Sequence, residues 1–342
     1  MALSKIDTTN MIEDVPQSKL DNNINFRNII INGDMSIAQR GTSTASVTSS
    51  GYYACDRWRT GIGIGTWTIS QDTDVPTGQG FAKSMKIDCT TANASPSASA
   101  DFGLETKFEG QNLQYLLKGT SSAKSLTLSF WVKSNKTGDY TLEITDSDNG
   151  RSISQSYSIS SANTWEKKTL TFAGDTTGTL DNDNAQSLAL NWWLSAGSNY
   201  TSGTLQTSWG SQVTANRAVS TQVNLADSTS NEWYITGVQL EAGQTASEFE
   251  FLPHDVNLER CYRDFQKTTS AYINGTNYPH SEVLTPMFLP KEMRATPTGL
   301  NKSSTSGTAG SMSLSNKMVR YFSVSGHSSG GFSVSFDLDA EL

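Results

Sequence analysis

Within Ser125–Lys133, Leu126, Leu128, Phe130 and Val132 occupy every second position, with Thr127, Ser129 and Trp131 between them. Successive side chains of a strand point to opposite sides, so this period puts the four apolar residues on one face and leaves a second face behind it. An amphipathic helix would repeat its apolar stripe about every 3.6 residues instead. Tyr140–Ile144 and Ser152–Ile159 alternate likewise, joined through Asp146-Ser147-Asp148-Asn149-Gly150, a run with hairpin turn chemistry. Further strands read at Trp165–Phe172, Ser187–Leu194 and Trp233–Leu240. Strands at short spacing, with no long helical pattern, predict an all-β, antiparallel sandwich.

A length of 342 residues predicts two domains, since single cores stop growing near ~250–300 residues. Apolar content of 35% and charged content of 17% leave a chain rich in Ser, Thr, Asn and Gly, which suits strands with one wet face. Eight Trp and eleven Tyr supply a core with rings left over for the surface. The net charge of −8 argues against a nucleic-acid partner, which requires clustered Lys and Arg. Cys55, Cys89 and Cys261 are too few and too far apart for a disulfide framework or a zinc site, and read as small buried residues. No run of ~18 apolar residues is present for a membrane span, and Met1–Asp7 lacks the apolar region of a signal peptide.

Three regions are expected. Residues 1–26 are polar, with irregular apolar positions and Pro16 in their midst, and read either as a disordered tail or as a segment that orders against a partner or against its own copies. Residues 27–253 carry the sandwich. Residues 254–342 read as a small second β domain, with strands at Ser270–Tyr278, Glu282–Phe288, Lys317–Ser325 and Gly331–Leu338 around a Gly/Ser/Thr-rich loop at Asn301–Gly310. Between the two, Asn257–Gln266 spaces Leu258, Cys261, Tyr262 and Phe265 as a short hinge helix would.

Catalysis finds no motif. The histidines, at 254, 280 and 327, lie outside the sandwich, and neither G-x-S-x-G, HExxH nor a phosphate loop occurs. The expectation is a protein that is not an enzyme. Sugar recognition would need aromatic faces for pyranose CH groups, and Trp67, Trp131, Trp192, Trp193, Tyr200 and Trp209 are the candidate rings. Trp192 and Trp193 are adjacent, so on a strand they face opposite ways and only one need be core. Arg40, Asp56, Arg57 and Trp58 read as a structural cluster, in which Arg40 or Arg57 would pair with Asp56.

The blocks Asn28–Gly41 (NIIINGDMSIAQRG) and Tyr53–Trp58 (YACDRW) resemble the opening of a carbohydrate-binding-module-like β-sandwich in bacteriophage tail fibre and other virion fibre proteins, where NLIINGxMxxAQRG precedes YxADRW. The resemblance continues through Leu126–Ser134, Ile235–Gly243, Leu258–Arg263 and Asp339–Leu342. It implies a jelly roll in a homotrimeric, non-enzymatic virion protein: a tail fibre or receptor-binding protein attached through its N-terminal segment to other virion tail or head proteins. It also implies a distal C-terminal domain whose loops near Asn274–His280 and Asn301–Gly310 face a host cell-surface polysaccharide. Sandwiches of this type often hold one structural Ca²⁺ near the first and last strands, and Asn32, Asp34 and Glu241, with Gln239, carry suitable oxygens. The alternative is a capsid decoration or head fibre protein with a purely structural role.

Overall fold

The computed structural model describes residues 26–273, 282–304, 312–314, 318–324 and 332–342. Residues 1–25, and with them nearly all of the expected attachment segment, lie outside these, as do the loop at Asn274–His280 and residues 305–311.

Two antiparallel sheets face each other. Sheet A comprises β1 (Ser43–Val47), β4 (Thr66–Asp72), β5 (Ser84–Thr91), β13 (Glu232–Ala242), β7 (Leu126–Ser134) and β10 (Glu166–Phe172), in the order β1-β4-β5-β13-β7-β10. Sheet B is ordered β12-β9-β8-β11-β6-β3-β2, from β2 (Gly51–Tyr52), β3 (Arg59–Ile62), β6 (Asp101–Glu109), β8 (Gly138–Asp146), β9 (Arg151–Ile159), β11 (Gln186–Ala196) and β12 (Gly210–Ser211). Central neighbours such as β5 and β13, or β6 and β11, are distant in sequence, so the chain repeatedly crosses between sheets. The result is the expected jelly-roll-like sandwich.

The alternation fixes which face is core. Leu128, Phe130 and Val132 are fully buried between the sheets, while Trp131 on the opposite face is only partly covered. Rings bridge the layers: Trp67 of β4 stacks on Phe102 of β6 at 3.8 Å, and Phe130 of β7 meets Trp192 of β11 edge-on at 5.8 Å. Each such pair adds roughly 0.5–1.5 kcal/mol beyond the area it buries. The β8–β9 hairpin closes with Asp146 opposite Arg151, and Gly150 supplies the left-handed residue of the turn at φ 59°. Cys55, Cys89 and Cys261 are free and buried.

An excursion after β11, with the single-turn helix α1 (Ser198–Thr201), lies over the outer side of sheet B. Helix α2 (His254–Tyr262) then leads to β14 (Phe265–Ile273). The helix starts and ends earlier than its apolar spacing predicted, because Phe265 opens a strand opposite Asp339 rather than completing a helical stripe. Beyond it, β14, β19 (Phe332–Asp339) and β16 (Thr298–Ser304) form one three-stranded sheet. A second holds β15 (Glu282–Phe288), β18 (Met318–Val324) and β17 (Met312–Leu314). Asn301–Ser304, expected in a loop, belongs to β16.

Candidate functional site

The opening motif builds structure. Asn28 accepts at Oδ1 from the Ile30 and Leu240 N–H groups and donates to the Val238 carbonyl, tying the entering chain to β13. Asn32, left-handed at φ 58°, donates to the carbonyls of Ile37 and Asp56 and accepts from the Ile37 N–H. A Cβ at Gly33 would sit 2.1 Å from the Val238 carbonyl oxygen, so only glycine allows this approach.

Arg40 and Arg57 do not pair with Asp56 as expected. Asp56 accepts from the Gln39 backbone N–H at 2.9 Å and its side-chain amide at 2.5 Å, and burial raises its pKa to about 6. Both arginines reach instead for the last residues of the sequence. Arg57 Nη1 lies 2.9 Å from Asp264 and also contacts Glu341, with all three side chains buried. Arg40 pairs with Asp339 at 2.9 Å and Glu341 at 3.3 Å, its guanidinium 3.7 Å from the Phe265 ring centroid. Burial, with Glu341 nearby, raises the Asp264 pKa above the usual carboxylate range despite Arg57. Trp58 is wholly buried and donates to the Asn32 carbonyl. This cluster fastens the second β unit to the sandwich.

The candidate rings divide. Trp67 and Trp192 lie in the core and cannot meet a sugar. Trp193 points away from the core, as its neighbour's orientation requires, yet is only 2% exposed. The excursion covers it: Arg217 lies 4.9 Å from its ring, Tyr200 packs at 5.0 Å, and its indole N–H donates to Glu143, which Arg217 grips at 2.8–3.0 Å. Tyr200 is thus part of a lid. Trp209 is half-buried, donating to the Ala173 carbonyl and lying under Lys118. Trp131 alone of the six belongs to the outer face of sheet A.

That face carries a row the sequence did not disclose. Cross-strand register aligns Ser70, Lys86, Tyr234 and Lys133, and Trp165 immediately precedes β10, whose Glu166 pairs with Val132. Lys133 Nζ sits 4.2 Å from the Tyr234 ring centroid and 5.6 Å from that of Trp165. Asp74 contacts Lys133 and accepts from the Trp165 indole at 2.9 Å. Glu232 accepts from Lys86 at 2.5 Å and from the Tyr234 hydroxyl at 2.7 Å. Burial works against both carboxylates, but these hydrogen bonds hold the pKa of each below its usual value. Trp131 stands two residues along β7 on the same side, opposite Thr236. The patch therefore offers partly exposed Trp131 and Trp165 rings, flanked by fixed acceptors and cations. Trp165 was legible as a strand start; its alignment with Lys133 and Tyr234 was not.

The expected calcium ligands do not converge. Asn32 is consumed by backbone groups, Asp34 accepts from Ser36 and Asn257, and Glu241 accepts from Gln239 and Ser247. A cation would have to displace these donors. Among the described residues no group of three or more His, Cys, Asp or Glu gathers to hold a metal. Asp146 and Asp175, also clustered, already enclose the Lys118 ammonium with the carbonyls of Thr177 and Gly178.

No protein-family model matches the chain, and no curated protein matches it. Among solved structures it is similar to the enzymatically active domain of tailspike protein 4 of bacteriophage CBA120, with 15% identity and a TM-score of 0.33 over 63% of this chain and 21% of that one. The chain thus spans about a fifth of that protein's length. It is also similar to the carbohydrate-binding module TmCBM61 in complex with β-1,4-galactotriose, with 11% identity and a TM-score of 0.32 over 63% and 99% of the two chains. A third is the family 11 module from Clostridium thermocellum in complex with a mixed-linked tetrasaccharide, with 13% identity and a TM-score of 0.28 over 60% and 98%. By its own topology the chain is a jelly-roll-like antiparallel β-sandwich followed by two smaller three-stranded sheets.

Proposed function

We propose that this protein is a virion component, a tail fibre or receptor-binding protein that attaches a phage particle to a host surface glycan without cleaving it. The observation that carries the reading is the outer face of sheet A: Trp131 and Trp165 are partly exposed beside Asp74, Glu232, Lys86 and Lys133, whose positions are fixed by mutual bonds. Rings of this kind stack on sugar CH groups while held carboxylates and ammoniums pair with hydroxyls, and prior ordering lowers the entropy cost of binding. The sequence blocks resembling phage fibre proteins supply the virion setting. That resemblance also gives the homotrimer, in which three weak sites act by avidity.

The proposal of retention without cleavage is supported by how one facing carboxylate pair on sheet A is engaged. A glycosidase needs a raised-pKa general acid opposite a second carboxylate. Asp88 faces Glu232 across β5 and β13 and has a pKa raised by burial, but Glu232 is committed to Lys86 and Tyr234.

Purified protein should adsorb to host cells, block phage attachment and release no oligosaccharide from host polysaccharide. Trp165→Ala should weaken adsorption about tenfold, equivalent to about 1.4 kcal/mol, with an unchanged thermal midpoint. Adsorption unaffected by Trp165→Ala and Trp131→Ala would remove the sheet face as the site. Oligosaccharide release lost on Asp88→Asn would make the protein an enzyme.

A further inference from the structure

A groove of about 690 Å³ runs between the sandwich and α2, shares no residue with the Trp165 face, and is lined by Phe26, Lys107, Tyr115, Arg260 and Lys291 among others. Its volume falls within the ~300–1,000 Å³ typical of small-ligand sites. The protein as a whole is acidic at −8, yet cations outnumber acids along this lining.

Most of those charges are already committed. Arg263 grips Glu109 through two bonds of 2.7–2.8 Å, Arg57 belongs to Asp264 and Glu341, and the Lys107 ammonium donates to the Leu342 carbonyl. Arg260 is different. Among the described residues its guanidinium has neither an ion pair nor a hydrogen bond, and its nitrogens are not sealed from solvent. Glu250, a carboxylate whose charge acts on it, spends its oxygens on the backbone N–H groups of Phe26 and Asn28. Partial burial, with the Arg57 charge nearby, pulls the Arg260 pKa below its ordinary value. Two aromatic rings stand at the rim, Phe26 at 58% and Tyr115 at 47% exposed.

We infer that this groove is a second saccharide site, selective for a sugar bearing a carboxylate, with Arg260 gripping the carboxylate and the rings of Phe26 and Tyr115 packing on the sugar faces. A planar guanidinium matches a carboxylate bidentately, and Lys291 adds long-range attraction. Glu259 at the same lining repels a second acidic group, which favours one carboxylate at the anchor point. The site goes beyond the ring stacking proposed for sheet A and does not depend on it.

The test is calorimetric titration of the full chain with trigalacturonate, a hyaluronan tetrasaccharide and sialyllactose, each beside a carboxyl-reduced or neutral counterpart. At least one acidic probe should bind saturably, more weakly at about 0.5 M than at about 0.05 M salt. Its neutral counterpart should bind about tenfold less or not at all. Arg260→Ala should reduce that affinity about tenfold or more, Arg260→Lys should retain an intermediate affinity, and Trp165→Ala should leave it unchanged. Far-UV circular dichroism and the thermal midpoint of both Arg260 variants should match the parent. The inference is overturned if no acidic probe binds, if the neutral counterpart binds equally, if folded Arg260→Ala retains full affinity, or if Trp165→Ala abolishes the same binding.

Discussion

Arg57→Met removes one guanidinium from a place where three buried charges meet. The side chains of Arg57, Asp264 and Glu341 are 4%, 1% and 3% exposed. Glu341 would keep Arg40 at 3.3 Å, but among the described residues Asp264 has no other ion pair, and neither of its carboxylate oxygens accepts a hydrogen bond. Removing one member of a buried pair costs about 3–5 kcal/mol, mostly because the remaining charge stays buried. At pH 8 the variant should be less stable by about that amount. The loss should shrink on acidification, because protonating Asp264 relieves the stranded charge and becomes easier by about 1.4 kcal/mol per pH unit. By pH 5 little should remain. Urea unfolding followed by tryptophan fluorescence reports this directly, as Trp58, Trp67, Trp192 and Trp233 are all fully buried. A midpoint shift worth less than about 1 kcal/mol at pH 8, or one equal at both pH values, would refute the view that Arg57 neutralises these carboxylates.

Other outcomes follow from the same electrostatics. In the parent protein the Asp56 pKa stands near 6, above its unfolded value, so the folded state binds more protons between about pH 4 and 6. Stability should therefore fall by up to about 3 kcal/mol as pH rises through that window, and Asp56→Asn should flatten the slope in pH-dependent urea titrations. Asp74, Asp139, Asp175, Glu166 and Glu232 have lowered pKa values and act in the opposite sense, so their contribution is lost only as pH drops below about 4. Lys118→Ala empties a cage of Asp146, Asp175 and two carbonyls, oxygens suited to a hard cation. Millimolar calcium should raise the thermal midpoint of that variant but not of the parent. The free thiols, at most 1% exposed, should react with an aromatic disulfide reagent only after unfolding, as a thiol titration would record.

The local pattern was enough for the strands. Alternation located β7, β8, β9, β11 and β13 and put Leu128, Phe130 and Val132 inside, because a period of two has one solution on a half-buried sheet. What escaped was decided by residues far apart. Arg57 meets Glu341 across 284 positions, and no local rule predicts that partner over adjacent Asp56. Trp193 had the outward orientation its neighbour implied, yet Arg217 and Tyr200 arrive from a later loop to cover it. The Trp165 row depends on the register of four strands, and Phe265 looked helical only while its partner Asp339 was unknown.

The grip of Arg40 and Arg57 on Asp339 and Glu341 has a temporal consequence during synthesis. At ~5–20 residues per second, a ribosome needs roughly 15–60 s to add the 284 residues separating Arg57 from Glu341. Through that interval both guanidiniums must wait hydrated, since entering the interior without their acids would strand two cations. Sealing of this corner accordingly cannot precede the synthesis of Glu341, and a nascent chain halted before Asp339 leaves it open.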